Sequence, residues 1–480
     1  MTLFRAGLFL SLLVPAGAAG GAGGLLAWQV MGGDSRGRAV CQDGDTRCDR
    51  DGTADGACTF GVALCLDTTP GGRPTVRVRG AGAAELRQAI AALAPPASCT
   101  PEIPVRVRRR AWLAAAARDL ASGRTERRRL RLTCVRPPRP RAARAVIVTT
   151  DFETGLLATV GVRPPHRVTH PATPIHSDAV VRVAGERVYV VNRFLGDNLQ
   201  VLDPAHGLAT LLQCSTGPGS NPHDVAVLAP DKAYVTRYDA KELWVVDPSA
   251  ASCAGFLRST IDLSPWADAD GIPEMDQMAL VGDRLFVSLE RLDRTRQFAP
   301  AGRSRLVVLD TAADAVVAVI ELTGGNAFGD ASGLPREPGS GKLVVDEVGN
   351  IQRTGDGGLE RVDPFTLTAE GFFVTESDLG GNITDFVLVS PTKAYAIVID
   401  DQLRNILLAF DPSVRRVTRR LLTRTQYLPD IALAPDGILW VADDGLPAPG
   451  IRLFDSRDDR ELTRGAIDVG LPPFSIGFIP

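Results

Sequence analysis

Six aspartates recur at one place in a repeat that begins near residue 145. Asp178, Asp224, Asp276, Asp330, Asp385 and Asp430 each stand just before an apolar stretch, in HSDAVVRV, PHDVAVLA, MDQMALVG, GDASGLPR, TDFVLVSP and PDIALAPDG. His176 and His223 lie two and one residues before the first two of them. Carboxylates at equivalent positions have two chemistries open to them. Gathered round one opening they make an oxygen-rich mouth for a cation or a polar ligand, because a hard cation needs several oxygen donors. Used singly, each accepts backbone N–H groups between neighbouring units and is structural.

A second acidic cluster, DGDTRCDRDGTADG, supplies Asp43, Asp45, Asp49, Asp51 and Asp55 with Gly52 and Gly56, an alternation suited to calcium. An EF-hand loop also needs a bidentate acid at its twelfth position, and counting from Asp43 or Asp49 finds none. A solvated loop braced by disulfides is the competing reading. His166, His170 and His176 make a third set, but the prolines of RPPHRVTHPATPIH keep it out of a helix. On an extended strand four residues span ~13 Å, too far for one ion to take His166 and His170 together. The sequence holds no GxSxG, HExxH or phosphate-loop signature and no GxGxxG at a strand-to-helix turn. Catalysis by single residues on separate loops leaves no such trace.

The eight cysteines contain no CxxC pair, and no His precedes His166. That spacing favours disulfides over zinc. Cys99 is expected to pair with Cys134 and Cys214 with Cys253, leaving Cys41, Cys48, Cys58 and Cys65 to pair among themselves.

The elements that position these residues repeat. The six aspartates are 46, 52, 54, 55 and 45 residues apart, and 45 more leads to Ser475 in the terminal PPFSIGFIP. A strand ending in an Asp turn recurs in phase as LQVLDP, LWVVDP, LVVLDT, LERVDP, LLAFDP and IRLFDS, at Asp203, Asp247, Asp310, Asp363, Asp411 and Asp455. Between the landmarks lie RVYVVNR, KAYVTRY, RLFVSLE, KLVVDEV, KAYAIVI and ILWVADD, rich in the β-branched and aromatic residues that suit a half-buried pleat. A four-stranded unit with a period of ~40–50 residues is a propeller blade. AVIVTTDFETGLLATVGV at 145–162 has the later strands of a blade but no leading Asp strand, whereas PPFSIGFIP is a first strand with nothing after it. Joined, they complete a seventh blade and remove two free sheet edges. The fold expected is all-β: a seven-bladed β-propeller over 145–480, closed by its terminal strands.

YVVNRFLGDNLQVLD, from Tyr189 to Asp203, and YVTRYDAKELWVVD, from Tyr234 to Asp247, resemble the repeat of the YVTN-type propellers of secreted and surface bacterial proteins. The resemblance covers 145–480. The later blades depart from it, and Leu439 to Asp444 is more similar to the NHL and gluconolactonase-type propellers. The resemblance implies the fold rather than an activity, since propeller loops host unrelated functions. For the lactonase-like members it implies sites assembled from single Glu, Asn, Asp or His residues on different blades.

Ahead of the propeller, residues 35–136 read as a small cysteine-stapled domain, mixed or β-rich. CTFGVALCL, PTVRVRG and RRRLRLTC are its strands, with Leu130, Leu132 and Cys134 on one face, and AAELRQAIAALA and AWLAAAARDLA its helices. Within VRPPRPRAARA, residues 137–144 are a stiff Pro/Arg linker. The opening MTLFRAGLFLSLLVPAGAAGGAGG places Arg5 before a short apolar run and small residues after it, the order of a signal peptide over 1–22. The run is too short to span a membrane. An exported protein without a transmembrane segment in its mature form is expected, in the periplasm, at the cell surface or outside the cell.

Net charge is −3, yet residues 101–144 hold fourteen Arg against Glu102, Asp119 and Glu126. That segment either meets an anionic polymer or is neutralised by the acidic remainder. The leading expectation is a non-enzymatic binding or surface scaffold for a protein, a glycan or an envelope component, not nucleic acid. The alternative is a metal-dependent lactonase or related hydrolase with its site at the channel mouth. Calcium is the one cofactor the residues suggest.

Overall fold

The computed structural model describes residues 26–30, 38–42, 58–66, 75–92, 100, 103–118, 125–135, 144–328 and 333–479. They fall into two compact units, Met1–Pro137 and Pro138–Pro480. The expected signal peptide over 1–22, the acidic segment from Asp43 to Asp55, Cys48, Cys99, most of the expected linker and Asp330 lie outside the described residues.

In the first unit, Leu26–Val30, Cys58–Leu66 and Ile103–Val107 form one sheet in that order. Arg38–Gln42, Thr125–Val135, Arg110–Arg118 and Thr75–Gly80 form another. Phe60, Val62, Leu64, Leu113, Leu130 and Leu132 share a core with Leu86 of the helix Ala83–Ala92. Here the structure corrects two expectations. AWLAAAARDLA is not a helix: Arg110–Arg118 is a strand that buries Leu113, Ala115 and Ala117 on one face. Pairing on both sides overrides the helix preference of an alanine run, which is worth only tenths of a kcal/mol per residue. Cys134 bonds Cys58 rather than Cys99, which also takes Cys58 out of the early set of four. Sequence order hides this pairing, because it joins strands of the two different sheets. Arg106, Arg108, Arg109, Arg110, Arg127, Arg129 and Arg131 all face solvent.

The second unit repeats one antiparallel meander. Among the described residues it contains seven sheets of three or four strands, besides one short two-stranded ribbon. Sheet 1 joins Pro473–Ile479 from the end of the chain to Arg144–Thr150, followed by Gly155–Gly161 and Val168–Thr169. Sheet 2 runs Ala179–Ala184, Arg187–Asn192, Asn198–Asp203, Ala209–Ser215, and sheet 3 runs Pro222–Ala229, Lys232–Arg237, Glu242–Val246, Leu257–Asp262. Sheet 4 is Met275–Val281, Arg284–Leu289, Arg305–Asp310, Ala315–Glu321. Sheet 5 is Leu343–Glu347, Gly358–Asp363, Thr368–Thr375, with Arg336 bridging Leu343 where a first strand would lie. Sheet 6 is Asn382–Ser390, Lys393–Ile399, Asn405–Asp411, Arg416–Arg424, and sheet 7 is Ile431–Leu433, Ile438–Asp443, Gly450–Asp455, Arg460–Glu461. Successive sheets bury their faces against each other, as Val344 and Leu359 of sheet 5 do against Ile383 and Phe386 of sheet 6. The unit is a β-propeller.

Its turns follow from their residues. Every aspartate of the second landmark accepts the N–H two residues on, at 2.8–3.0 Å: Asp203, Asp247, Asp310, Asp363, Asp411 and Asp455. The two KAY segments tie neighbouring sheets together. Lys232 and Tyr234 of sheet 3 both reach Asp314 in a turn of sheet 4, and Lys393 and Tyr395 of sheet 6 both reach Asp459 in a turn of sheet 7. Cys214 and Cys253 form the expected disulfide, between the outermost strand of sheet 2 and the last turn of sheet 3.

Candidate functional site

The strand-leading aspartates separate into two kinds. Asp385 accepts the N–H of Phe386 on one oxygen and, on the other, the N–H of Ile431 in the next sheet, both at 2.7 Å. Asp224 repeats this with Val225 (2.8 Å) and Met278 (2.9 Å), and also takes Arg182 at 2.8 Å. Asp430 accepts the N–H of Ile476, in the terminal strand, at 2.7 Å. These three stitch one sheet to the next. Asp178 instead bonds Arg193 (2.7 Å) and the N–H of Phe194 within its own sheet.

Asp276 is the exception that faces other side chains. Its Oδ1 lies 2.8 Å from His223 Nδ1 and accepts Gln277 Nε2 at 3.2 Å. The His223 ring stacks on Tyr238, centroids 4.2 Å apart and 13° from parallel. Tyr238 donates its hydroxyl to Glu290 at 2.7 Å. Burial pushes the Glu290 carboxyl well above its ordinary range, and the nearby Asp276 charge adds to the shift. Burial and the adjoining Glu290 likewise push the Tyr238 hydroxyl up. The result is two hydrogen-bonded pairs, Tyr238 with Glu290 and His223 with Asp276, joined by the stacking of their rings. Beside it, Glu274 holds Arg294 at 2.8 Å, and burial lifts its carboxyl to about 7 against the pull of that guanidinium.

The remaining sequence candidates are not drawn into this cluster. His176 uses Nδ1 to accept the N–H of Asp178 (3.1 Å), and His166 Nδ1 bonds Gly161 O (2.9 Å). Among the described residues no three His, Cys, Asp or Glu side chains are grouped so as to hold a metal ion.

Antiparallel order puts the start of each first strand and the turn from second to third strand at the same end of the propeller. Those turns carry exposed apolar side chains in six of the seven sheets: Phe152, Phe194 with Leu195, Phe298, Ile351, Leu403 and Leu446. Leu403 is 77% exposed and Leu195 75%. A pocket of 450 Å³ opens at this end, lined by Phe194, Leu195, Asp197, Asn221, Tyr238, Asp239, Arg294 and Phe298.

No family model and no curated protein matches the chain. Solved structures do resemble it. A 6-phosphogluconolactonase candidate from Bacteroides fragilis is similar over 72% of this chain and 100% of its own, at 14% identity and a TM-score of 0.48. Another from Bacteroides uniformis covers 70% and 99%, at 13% identity and 0.47. A protein of unknown function from Desulfotomaculum acetoxidans covers 70% and 98%, at 12% identity and 0.45.

Tyr238, Glu274, Glu290 and Arg294 are the residues that sequence reasoning passed over. A signal for Glu290 exists: RLFVSLE ends an apolar strand on an acid where the equivalent KAYVTRY ends on tyrosine.

Proposed function

We propose that this chain is an exported, non-enzymatic binding module. It comprises a signal peptide over 1–22, a disulfide-bonded domain over 35–136, a linker over 137–144 and a seven-bladed propeller of YVTN type over 145–480. In this reading the pairing of Pro473–Ile479 with Arg144–Thr150 closes the ring, and the partner is a protein, a glycan or an envelope component. The observation that carries it is the row of apolar tips on the second-to-third-strand turns, all directed to one end. Single exposed apolar residues are ordinary on a surface, but their return at one position of the repeat is not. The use of Asp224, Asp385 and Asp430 on backbone N–H groups also supports it, since carboxylates so engaged hold sheets together.

The test is co-sedimentation with isolated bacterial envelopes, using the wild type and a variant carrying Phe152→Ser, Phe194→Ser, Ile351→Ser and Leu403→Ser. The wild type is expected to sediment and the folded variant to stay in solution. Equal behaviour of the two would remove the tips from the function.

One observation favours the second reading, a metal-dependent lactonase or related hydrolase. With Nδ1 of His223 held by Asp276, Nε2 is the nitrogen left for proton transfer, the arrangement of an oriented general base. Turnover of sugar lactones that is sensitive to chelator and abolished by His223→Ala would put this reading first.

A further inference from the structure

The pocket at the turn-bearing end has aromatic walls. Phe194 is 57% exposed and Phe298 46%, while Tyr238 lies partly buried between the sheets they belong to. Aromatic faces this accessible stack against the apolar face of a flat or ring-shaped ligand. The volume of 450 Å³ falls in the ~300–1,000 Å³ range of small-ligand sites.

Charge narrows the choice. Arg294 sits 6.0 Å from the Tyr238 ring and 5.8 Å from the Phe298 ring, so the places where a ligand cation would meet those faces already hold a guanidinium. Cation–π capture of a cationic ligand is therefore already taken up by Arg294. An anionic ligand fares no better, because Asp197 and Asp239 line the same pocket. Both are committed as carboxylates: Asp197 accepts the N–H groups of Gly219 and Asn221 at 2.7 and 2.8 Å, and Asp239 holds Arg294 at 2.7 Å. A ligand without net charge is left.

The polar inventory of the wall says what kind. Arg294 offers guanidinium donors and Asp197 and Asp239 offer carboxylate acceptors in the same wall, so a ligand that both donates and accepts can pair with both kinds of group. Hydroxyl groups do both, since each donates once and accepts twice.

Resting on the reading that this end of the propeller is where the partner is taken, we propose that the pocket between Phe194 and Phe298 binds a neutral saccharide. A sugar ring stacks on the phenylalanines, and its hydroxyls reach Arg294, Asn221 and the two carboxylates. The pocket is open to solvent, so a longer chain runs out of it across the neighbouring turns.

Isothermal titration of the full chain with cellotetraose, mannotetraose and N-acetylated chitotetraose tests this, alongside tetragalacturonate as the anionic probe and fully deacetylated chitotetraose as the cationic one. At least one neutral tetramer is expected to bind at millimolar affinity or better, at about 4 kcal/mol. Phe194→Ala and Phe298→Ala should each weaken it by about tenfold, the size of one lost aromatic contact, without moving the melting temperature. Silence of all three neutral tetramers, or tighter binding of either charged one, overturns the assignment. So does binding that both alanine variants retain in full. The two proposals fail separately: envelope binding that the four-serine variant loses, with the neutral tetramers silent, leaves the docking end in place and removes only the saccharide.

Discussion

The two ends of the propeller are built from the same strands and solve opposite problems. At one end the turns from third to fourth strand are closed on themselves, in six of the seven sheets by an aspartate that accepts the N–H two residues on, and two of them are anchored again by Lys and Tyr from the preceding sheet. Little there is left unpaired. At the other end the second-to-third-strand turns are longer than these in sheets 4 to 7, and in sheet 4 the turn carries its own short ribbon, Leu292–Asp293 with Ala299–Pro300. They present Phe152, Phe194, Leu195, Phe298, Ile351, Leu403 and Leu446 to solvent. The difference teaches that a repeat can hold its stability in one set of turns and leave the other set free to vary, which is where binding residues accumulate on rigid scaffolds.

The comparison breaks most completely at the terminal strand, on which both ends depend. Deleting Phe474–Pro480 removes buried Phe474, Ile476 and Ile479 from sheet 1 and the N–H that Asp430 uses. Each such side chain is worth ~2–5 kcal/mol. Guanidinium denaturation should therefore show loss of the whole cooperative transition, and an unchanged midpoint would mean that the strand is dispensable.

The strand-leading aspartates sharpen the comparison at intermediate cost. Asp385→Asn and Asp430→Asn each turn a charge-assisted bond between sheets into a weaker one, or leave an N–H unpaired, at ~1–3 kcal/mol. Asp178→Asn should cost less than about 1 kcal/mol, because its main partner is Arg193 within the same sheet and its side chain is a quarter exposed. Urea midpoints for the three variants decide whether stitching between sheets, rather than charge itself, is what these residues supply.

The smallest effect belongs to the tips. Leu403→Ser and Ile351→Ser should change stability by no more than ~0.5 kcal/mol, as exposed positions do. A larger loss on thermal melting would show that the turns brace the propeller after all.

The propeller was legible in the sequence because its repeat writes one physical requirement many times over. An Asp turn recurs in six of the seven sheets and carries the backbone bond that its position demands, and the leading Asp does so at Asp224, Asp385 and Asp430. The first unit was less legible. Arg110–Arg118 looks helical in isolation and becomes a strand only because two neighbours pair with it, and the bond from Cys58 to Cys134 spans 76 residues between sheets that no local pattern connects. The candidate site was legible only in part. Asp276 and His223 were singled out for their spacing, but Glu290, Tyr238 and Arg294 come from other strands and turns, and only the folded chain brings them together.

The pairing of Pro473–Ile479 with Arg144–Thr150 also sets the timing of assembly. The two strands of one sheet are separated by nearly the whole propeller, so sheet 1 waits until Pro473–Ile479 has been synthesised. Until then the growing chain carries an unpaired edge along Arg144–Thr150 and cannot reach its final state, however many later sheets have already formed. For a chain threaded unfolded across a membrane, as we propose for this one, that delay is an advantage: the sheet that joins the two ends of the propeller cannot form until Pro473–Ile479 has followed the rest of it.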